Sequence, residues 1–313
     1  MPVDILMMGR MKPIEQKLEP EFTLHRLWLH ENRAAFLGEL GPRIRGVVAY
    51  SGAALVDAEV MGALPNVEII VNMGVGYESI DIGLAKSRGI PVTNAGSVNA
   101  VDVGEHAFGL VLATGRGIAA GDRYVRAGRW ASEGRMAITH RVSGRKIGIL
   151  GMGHIGLEIA RRAAAFDMPV FYHNRHRRTD TPYIYIETVA ELARLVNILV
   201  VATPGGGGTQ HLVDRDVLDA LGPDGIVVNI ARGTVIDETA LVEALTAGRL
   251  AGAGLDVFED EPHVPEALFA LPNVIVQPHQ GGATYEGIAA AVDVLVANLR
   301  NHFAGRPLLN RIV

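Results

Sequence analysis

The 313-residue chain has no cysteine. Disulfides, thiolate metal sites and cysteine nucleophiles are excluded together. No run reaches the roughly 18 uninterrupted apolar residues expected of a membrane helix. The N-terminus, MPVDILMMGRMKPIEQ, has no basic segment leading into a long apolar run, so it does not read as a signal peptide. Positive charge is in the minority. The 29 Lys and Arg stand against 34 Asp and Glu, and the net charge of −5 argues against a general nucleic-acid surface. Low-complexity sequence is confined to GGGG at 205–208, and no internal repeat is visible. The remainder, 49% hydrophobic and 20% charged, reads as a soluble, cytoplasmic globular protein long enough for two domains. No metal site, membrane or nucleic-acid partner is expected.

What is present is a recurring alternation. VDILMMG (3–9), IRGVVAY (44–50), VEIIVNMG (67–74) and IPVTNAG (90–96) read as buried strands, with helix-like stretches such as 53–64 between them. A second series follows: KIGILG (146–151), MPVFYHN (168–174), NILVVAT (197–203), GIVVNIA (225–231), GAGLDVF (252–258) and NVIVQPH (273–279). Continuous apolar strands alternating with helices imply parallel sheets covered on both faces, and two series imply two doubly wound α/β domains. The stretch 101–130 reads as one long helix entering the second domain. The last segment, from Tyr285, reads as an amphipathic helix with no strand of its own that crosses back to the first domain. The expected division is 1–98 with 287–313, and 99–286.

KIGILGMGHIG places G-x-G-x-x-G at Gly151, Gly153 and Gly156, after a strand and at the opening of a helix. In that context the glycines form a pyrophosphate cradle: Gly151 permits the tight turn, Gly153 the approach of backbone to phosphate, Gly156 the packing of helix on strand. The helix N-terminus offers free N–H groups and a positive dipole to the anion. An NAD-binding site normally has an acid about 20 residues further on, holding the ribose hydroxyls. Here Asn174 stands in that place, inside FYHNRHRR (171–178), where two histidines and three arginines crowd together. A 2′-phosphate would be repelled by an acid and welcomed by Asn174 and the planar fork of Arg175, with Arg177 and Arg178 as further contacts. The cluster therefore predicts NADP.

Four stretches then carry a resemblance over essentially the whole chain: GMGHIG (151–156), VNIARGTVIDETALVEAL (228–245), GAGLDVFEDEP (252–262) and PHQGGAT (278–284). The sequence resembles the D-isomer-specific 2-hydroxyacid dehydrogenases, most of all the glyoxylate/hydroxypyruvate reductases and related hydroxyphenylpyruvate reductases. The resemblance implies a Rossmann-type cofactor domain inserted in a flavodoxin-like substrate domain, and a homodimer whose arm carries Trp130. It also implies an Arg, Glu and His catalytic set at Arg232, Glu261 and His279. By the same resemblance the cofactor meets His154, Ile155, Thr203, Pro204, Ile230, Ala231, Arg232, Asp256, His279 and Gly281. The substrate meets Ser51, Gly52, Met73, Arg232, His279 and the Val75 and Gly76 amides.

The residue types suit the chemistry. Reduction of a 2-oxoacid needs hydride at C2 and a proton at the carbonyl oxygen. Imidazole titrates nearest neutrality, so His279 is the expected proton donor, with Glu261 fixing its tautomer. Arg232 suits a carboxylate and a polarised carbonyl. All three follow predicted strands, where open α/β sheets place their ligands. Three departures from the family pattern stand out: the glycine-rich stretch after Thr203-Pro204, Asp167 in a helix-ending position usually held by glycine, and Gln280 after the histidine. Expected substrates are small 2-oxoacids, with larger aromatic 2-oxoacids or a non-catalytic NAD(P)-binding regulator as alternatives.

Overall fold

The apolar runs become parallel strands of two separate sheets in the computed structural model, which describes residues 2–50, 53–206 and 208–313. The chain divides into two compact units, Met1–Asn99 with Thr284–Val313, and Ala100–Ala283.

The first unit begins with β1 (Val3–Met7), α1 (Lys12–Leu18), β2 (Phe22–Arg26), α2 (Arg33–Leu40) and β3 (Ile44–Ala49). It continues with α3 (Ala58–Gly62), β4 (Ile69–Asn72), α4 (Ile82–Ser87) and β5 (Val92–Thr93). Three helix starts are written locally: the side chains of Asn32, Asp57 and Asp81 accept the backbone N–H groups of Ala35, Val60 and Leu84. The strand order is β2-β1-β3-β4-β5, the flavodoxin-like winding.

The second unit opens with α5 (Ala100–Gly115), α6 (Ile118–Arg126) and α7 (Arg129–Glu133). The single helix expected over 101–130 is thus broken twice. Gly117 at φ +60° and Gly128 at φ +71° adopt the left-handed conformation that ends a helix. There follow β6 (Ile147–Leu150), α8 (His154–Ala164), β7 (Val170–His173), β8 (Ile184–Tyr185), α9 (Val189–Leu195) and β9 (Ile198–Val201). The unit closes with α10 (Arg215–Leu221), β10 (Ile226–Asn229), α11 (Glu238–Thr246), β11 (Gly252–Leu255) and β12 (Val274–Val276). Its order, β12-β11-β10-β9-β6-β7-β8, reverses direction between β6 and β9, as in a Rossmann sheet extended by one strand. Alternate residues of β9 face opposite layers: Ile198 and Val200 pack with α5 and α8, Leu199 and Val201 with α9, α10 and α11.

The chain then returns to the first unit as α12 (Tyr285–Phe303), capped by Thr284, whose side chain accepts the Gly287 N–H. Its apolar face, with Val292, Leu295 and Leu299, packs on Ile5, Ile69 and Val71 of the sheet, as the segment's amphipathic pattern predicts. Among the described residues no helix is long and apolar enough to cross a membrane.

Candidate active site

The glycine fingerprint is a steric requirement. Gly151 sits at φ +104°, and a Cβ there would lie 2.6 Å from the Thr203 backbone nitrogen, so the turns after β6 and β9 can only meet across a glycine. A Cβ at Gly156 would overlap the Gly151 carbonyl oxygen, so α8 cannot otherwise start so close to the strand. A Cβ at Gly153 would meet nothing within 4 Å. The loop is therefore closed on the protein side and open on the other, as a phosphate cradle must be. His154 and Ile155 open α8, and Thr203 and Pro204 follow β9 on the far side of the switch point.

The other candidates leave the C-terminal ends of neighbouring strands. Ile230, Ala231 and Arg232 follow β10, Asp256 follows β11, and His279 and Gly281 follow β12. The turn bearing Arg232 is shaped by buried Asn229, whose Oδ1 accepts the Ala231 N–H and whose Nδ2 donates to the Arg232 carbonyl, both at 3.0 Å. Gly233 comes next because a Cβ would overlap the backbone at Phe258 and Glu259. That close crossing fixes the loop that carries Glu261. His279 and Glu261 meet, with Nδ1 of the histidine 2.8 Å from Oε2 of the carboxylate, and Glu261 Oε1 accepts the Phe258 N–H.

In the first unit, Val75 and Gly76 follow β4. Asn94 Nδ2 donates to the Val75 carbonyl at 2.6 Å, and Asn72 Nδ2 to the carbonyls of Gly74 and Gly76 at 2.9 and 2.7 Å. Because trans peptide planes point C=O and N–H in opposite directions, tying down the carbonyls of Gly74 and Val75 aims the N–H groups of Val75 and Gly76 the other way. Met73 is buried in the core with Val71 and Leu295. Ser51 and Gly52 lie outside the described residues.

Residues 108–281 match the family model described as D-isomer specific 2-hydroxyacid dehydrogenase, NAD binding domain. The chain is 45% identical over 312 residues to glyoxylate/hydroxypyruvate reductase A of Arabidopsis thaliana, covering 99% of each. Hydroxyphenylpyruvate reductase of Plectranthus scutellarioides matches equally well, 45% over 312 residues and 99% of each chain. Among solved structures, an NADPH-dependent glyoxylate/hydroxypyruvate reductase of Sinorhizobium meliloti, in complex with NADP and malonate, superposes with a TM-score of 0.93. That match is at 38% identity and covers 100% of this chain and 97% of the other. The chain belongs to the D-isomer-specific 2-hydroxyacid dehydrogenases.

In this dehydrogenase the electrostatics at the strand ends are mutually consistent. The hydrogen bond to Glu261 raises the His279 pKa above its ordinary 6.5; partial burial and the Arg232 charge oppose it, while Asp256 adds to it. Burial pushes the Glu261 carboxyl up, but His279, the Phe258 N–H and Arg232 together hold it below its usual value. Asp256 behaves alike. Burial opposes its charge, and His106 with the Gln280 and Gly281 amides more than offsets that opposition.

The basic cluster after β7 divides in two. Arg178 was expected to face a phosphate with its neighbours. Instead Nε and Nη2 pair with Asp180, while Nη1 donates to the Met152 carbonyl at 2.9 Å. It braces the glycine loop. Asn174 does so too, its Oδ1 accepting the Met152 N–H at 2.6 Å, which leaves the Nδ2 hydrogens as donors. Arg175 and Arg177 are exposed, with no hydrogen-bond or ion-pair partner among the described residues. Trp130 is also exposed, at 59%. Asp167 takes φ +56°, the conformation that explains why glycine is usual there. Sequence reasoning missed Asn229 and His106; a histidine in the apolar helix GEHAFGLVLA was the one visible signal.

Proposed function

We propose that this dehydrogenase reduces small 2-oxoacids with NADPH, glyoxylate and hydroxypyruvate foremost, to D-2-hydroxyacids. The observation that carries the reading is the His279–Glu261 pair at 2.8 Å, beside Arg232, at the ends of adjacent strands. With Nδ1–H donated to Glu261, Nε2 of His279 is the atom that gives a proton to the substrate oxygen. Glu261 stabilises the imidazolium before that transfer and fixes its tautomer throughout. Arg232 binds the carboxylate and polarises the adjacent carbonyl. In the first unit, carboxylate binding is assigned to the Val75 and Gly76 amides.

The residues present fit NADP. The open face at Gly153 and the N-terminus of α8 would receive the pyrophosphate. Asn174, Arg175 and Arg177 would receive the 2′-phosphate, with no carboxylate at position 174 to repel it. Thr203, Pro204, Ile230, Ala231, Asp256 and Gly281 would line the remainder. When bound, the cofactor supplies the hydride.

A homodimer belongs to the same proposal. It is supported by exposed Ile118, Val125, Trp130, Met136 and Ile138, apolar side chains gathered on α6, α7 and the arm that follows. A cytoplasmic setting suits the need for NADPH. The test is a nicotinamide absorbance assay with glyoxylate, hydroxypyruvate, phenylpyruvate, hydroxyphenylpyruvate and oxaloacetate, each with NADPH and NADH. Glyoxylate and hydroxypyruvate with NADPH should give the highest kcat/KM. Equal identity to the hydroxyphenylpyruvate reductase makes aromatic 2-oxoacids the second reading. No turnover with any 2-oxoacid would reject both.

A further inference from the structure

Asp256 is 1% exposed and serves as a clamp. Its backbone carbonyl accepts the His279 N–H at 2.9 Å. Its carboxylate accepts the N–H groups of Gln280 at 2.7 Å and Gly281 at 2.8 Å. Three successive amides of the turn after β12 therefore end on one residue. The turn needs such a hold, because His279 sits at φ +54°, a region that a non-glycine residue occupies only when its surroundings enforce it.

One further side chain reaches the clamp. His106, on α5, places Nε2 3.1 Å from Asp256 Oδ1, with its side chain 22% exposed. Its ring also lies against the turn: a Cβ on Gly281 would come within 3.8 Å of His106 Cδ2 and 3.0 Å of Asp256 Oδ2. The two residues are far apart in sequence, and α5 packs directly on β11 to bring them together.

We infer that His106 is a positioning residue: by donating to Asp256 it offsets part of that carboxylate's charge at His279, and so tunes how tightly His279 holds its proton. The charged groups acting on His279 are Glu261 on the loop after β11, Arg232 on the turn after β10, and Asp256 beneath the turn. Of these, Glu261 touches the ring directly and Arg232 carries a permanent charge. Asp256 alone has a second imidazole bonded to it. Without His106, the two amides still hold Asp256 ionised, but its negative charge acts on His279 less opposed. The functional consequence rests on the proton-donor reading of His279; the titration itself does not.

The test compares two amides at position 106 in the full chain. His106→Gln places its side-chain nitrogen close to where Nε2 stood and keeps the bond to Asp256. His106→Asn is one methylene shorter and falls out of reach; the position is partly exposed. The ring of His279 is titrated by NMR in histidine-labelled protein without cofactor, its signal assigned by loss in His279→Ala. The Gln variant should titrate like the wild type, and the Asn variant about half a unit or more higher, as removing a neutralising partner from a nearby carboxylate requires. An unchanged or lower value in the Asn variant, or equal shifts in both, would overturn the role of His106. Absence of turnover in the wild type would instead count against the reductase reading, and the titration would still decide this one.

Discussion

Replacing Arg175 by alanine isolates the cofactor's 2′-phosphate from everything else in the site. Of the four groups first expected around that phosphate, Arg178 is committed to Asp180 and the Met152 carbonyl, and Asn174 spends its oxygen on the Met152 N–H. The charge is therefore left to Arg175 and Arg177. A hydrogen bond to a charged group contributes about 1.5–3 kcal/mol. Arg175 is exposed, so solvent and salt screen it, and the lower end applies: about 1.5 kcal/mol, or roughly tenfold in affinity. NADH has no phosphate there and should bind the variant as it binds the wild type. Asn174→Asp forms the second arm. It retains an acceptor for the Met152 N–H and adds a negative charge against the phosphate, so it should reduce NADPH affinity further and shift preference toward NADH. Fluorescence titration with both cofactors, at low and at moderate salt, gives the readout, and the Arg175 effect should shrink as salt rises. An equal loss for NADPH and NADH, or a wild type that prefers NADH, would refute the reasoning.

Arg178→Ala should weaken both cofactors alike, because it removes a brace on the glycine loop and no phosphate contact; the same titration checks it. His279→Ala should nearly abolish turnover with NADPH affinity largely retained, measured by steady-state rates and fluorescence. On the proposed mechanism reduction needs protonated His279, so its rate should fall as pH rises through the raised histidine pKa. Glu261→Gln removes the main cause of that elevation and should move this limb to lower pH, toward 6.5, in a pH–rate profile of kcat/KM. Gly233→Ala should force the Phe258–Glu259 backbone aside and carry Glu261 with it, lowering kcat about 100-fold, as displacements near 1 Å do. Light scattering at micromolar concentration should show a dimer, and a Trp130→Ala variant that remains dimeric would assign the contact to other residues of the patch.

The central strands were legible because each is an unbroken apolar run, a property forced by helices on both faces of a parallel sheet. The two strands missed are edges. β2 carries His25 and Arg26, and β8 spans only Ile184 and Tyr185, so neither is required to be apolar throughout. Periodicity carried straight across Gly117 and Gly128, since a left-handed glycine alters chain direction without altering the spacing of apolar side chains. In the proposed site, the glycine fingerprint was marked by its place between strand and helix, and Arg232, Glu261 and His279 by the family resemblance, with strand ends and residue chemistry in agreement. The partition of the basic cluster could not. Whether an arginine faces solvent or its own fold depends on Asp180 and the Met152 carbonyl, and nothing in the order HNRHRR distinguishes Arg178 from Arg175. The His106–Asp256 bond was hidden for a similar reason, being a product of helix packing between distant parts of the chain.

The return of α12 to the first unit has a consequence for the order of events at the ribosome. Residues 100–283 are contiguous, so the second unit holds all the sequence its own sheet needs before α12 is made. The first unit is begun earlier yet must wait, because Ile5, Ile69 and Val71 are covered by Val292, Leu295 and Leu299, which are made only after the whole second unit. Part of its apolar face, the part that α1 does not cover, therefore stays open throughout translation of the intervening residues, when a nascent chain is exposed to aggregation or chaperone capture. Birth order and completion order are reversed: the half begun first is the half finished last.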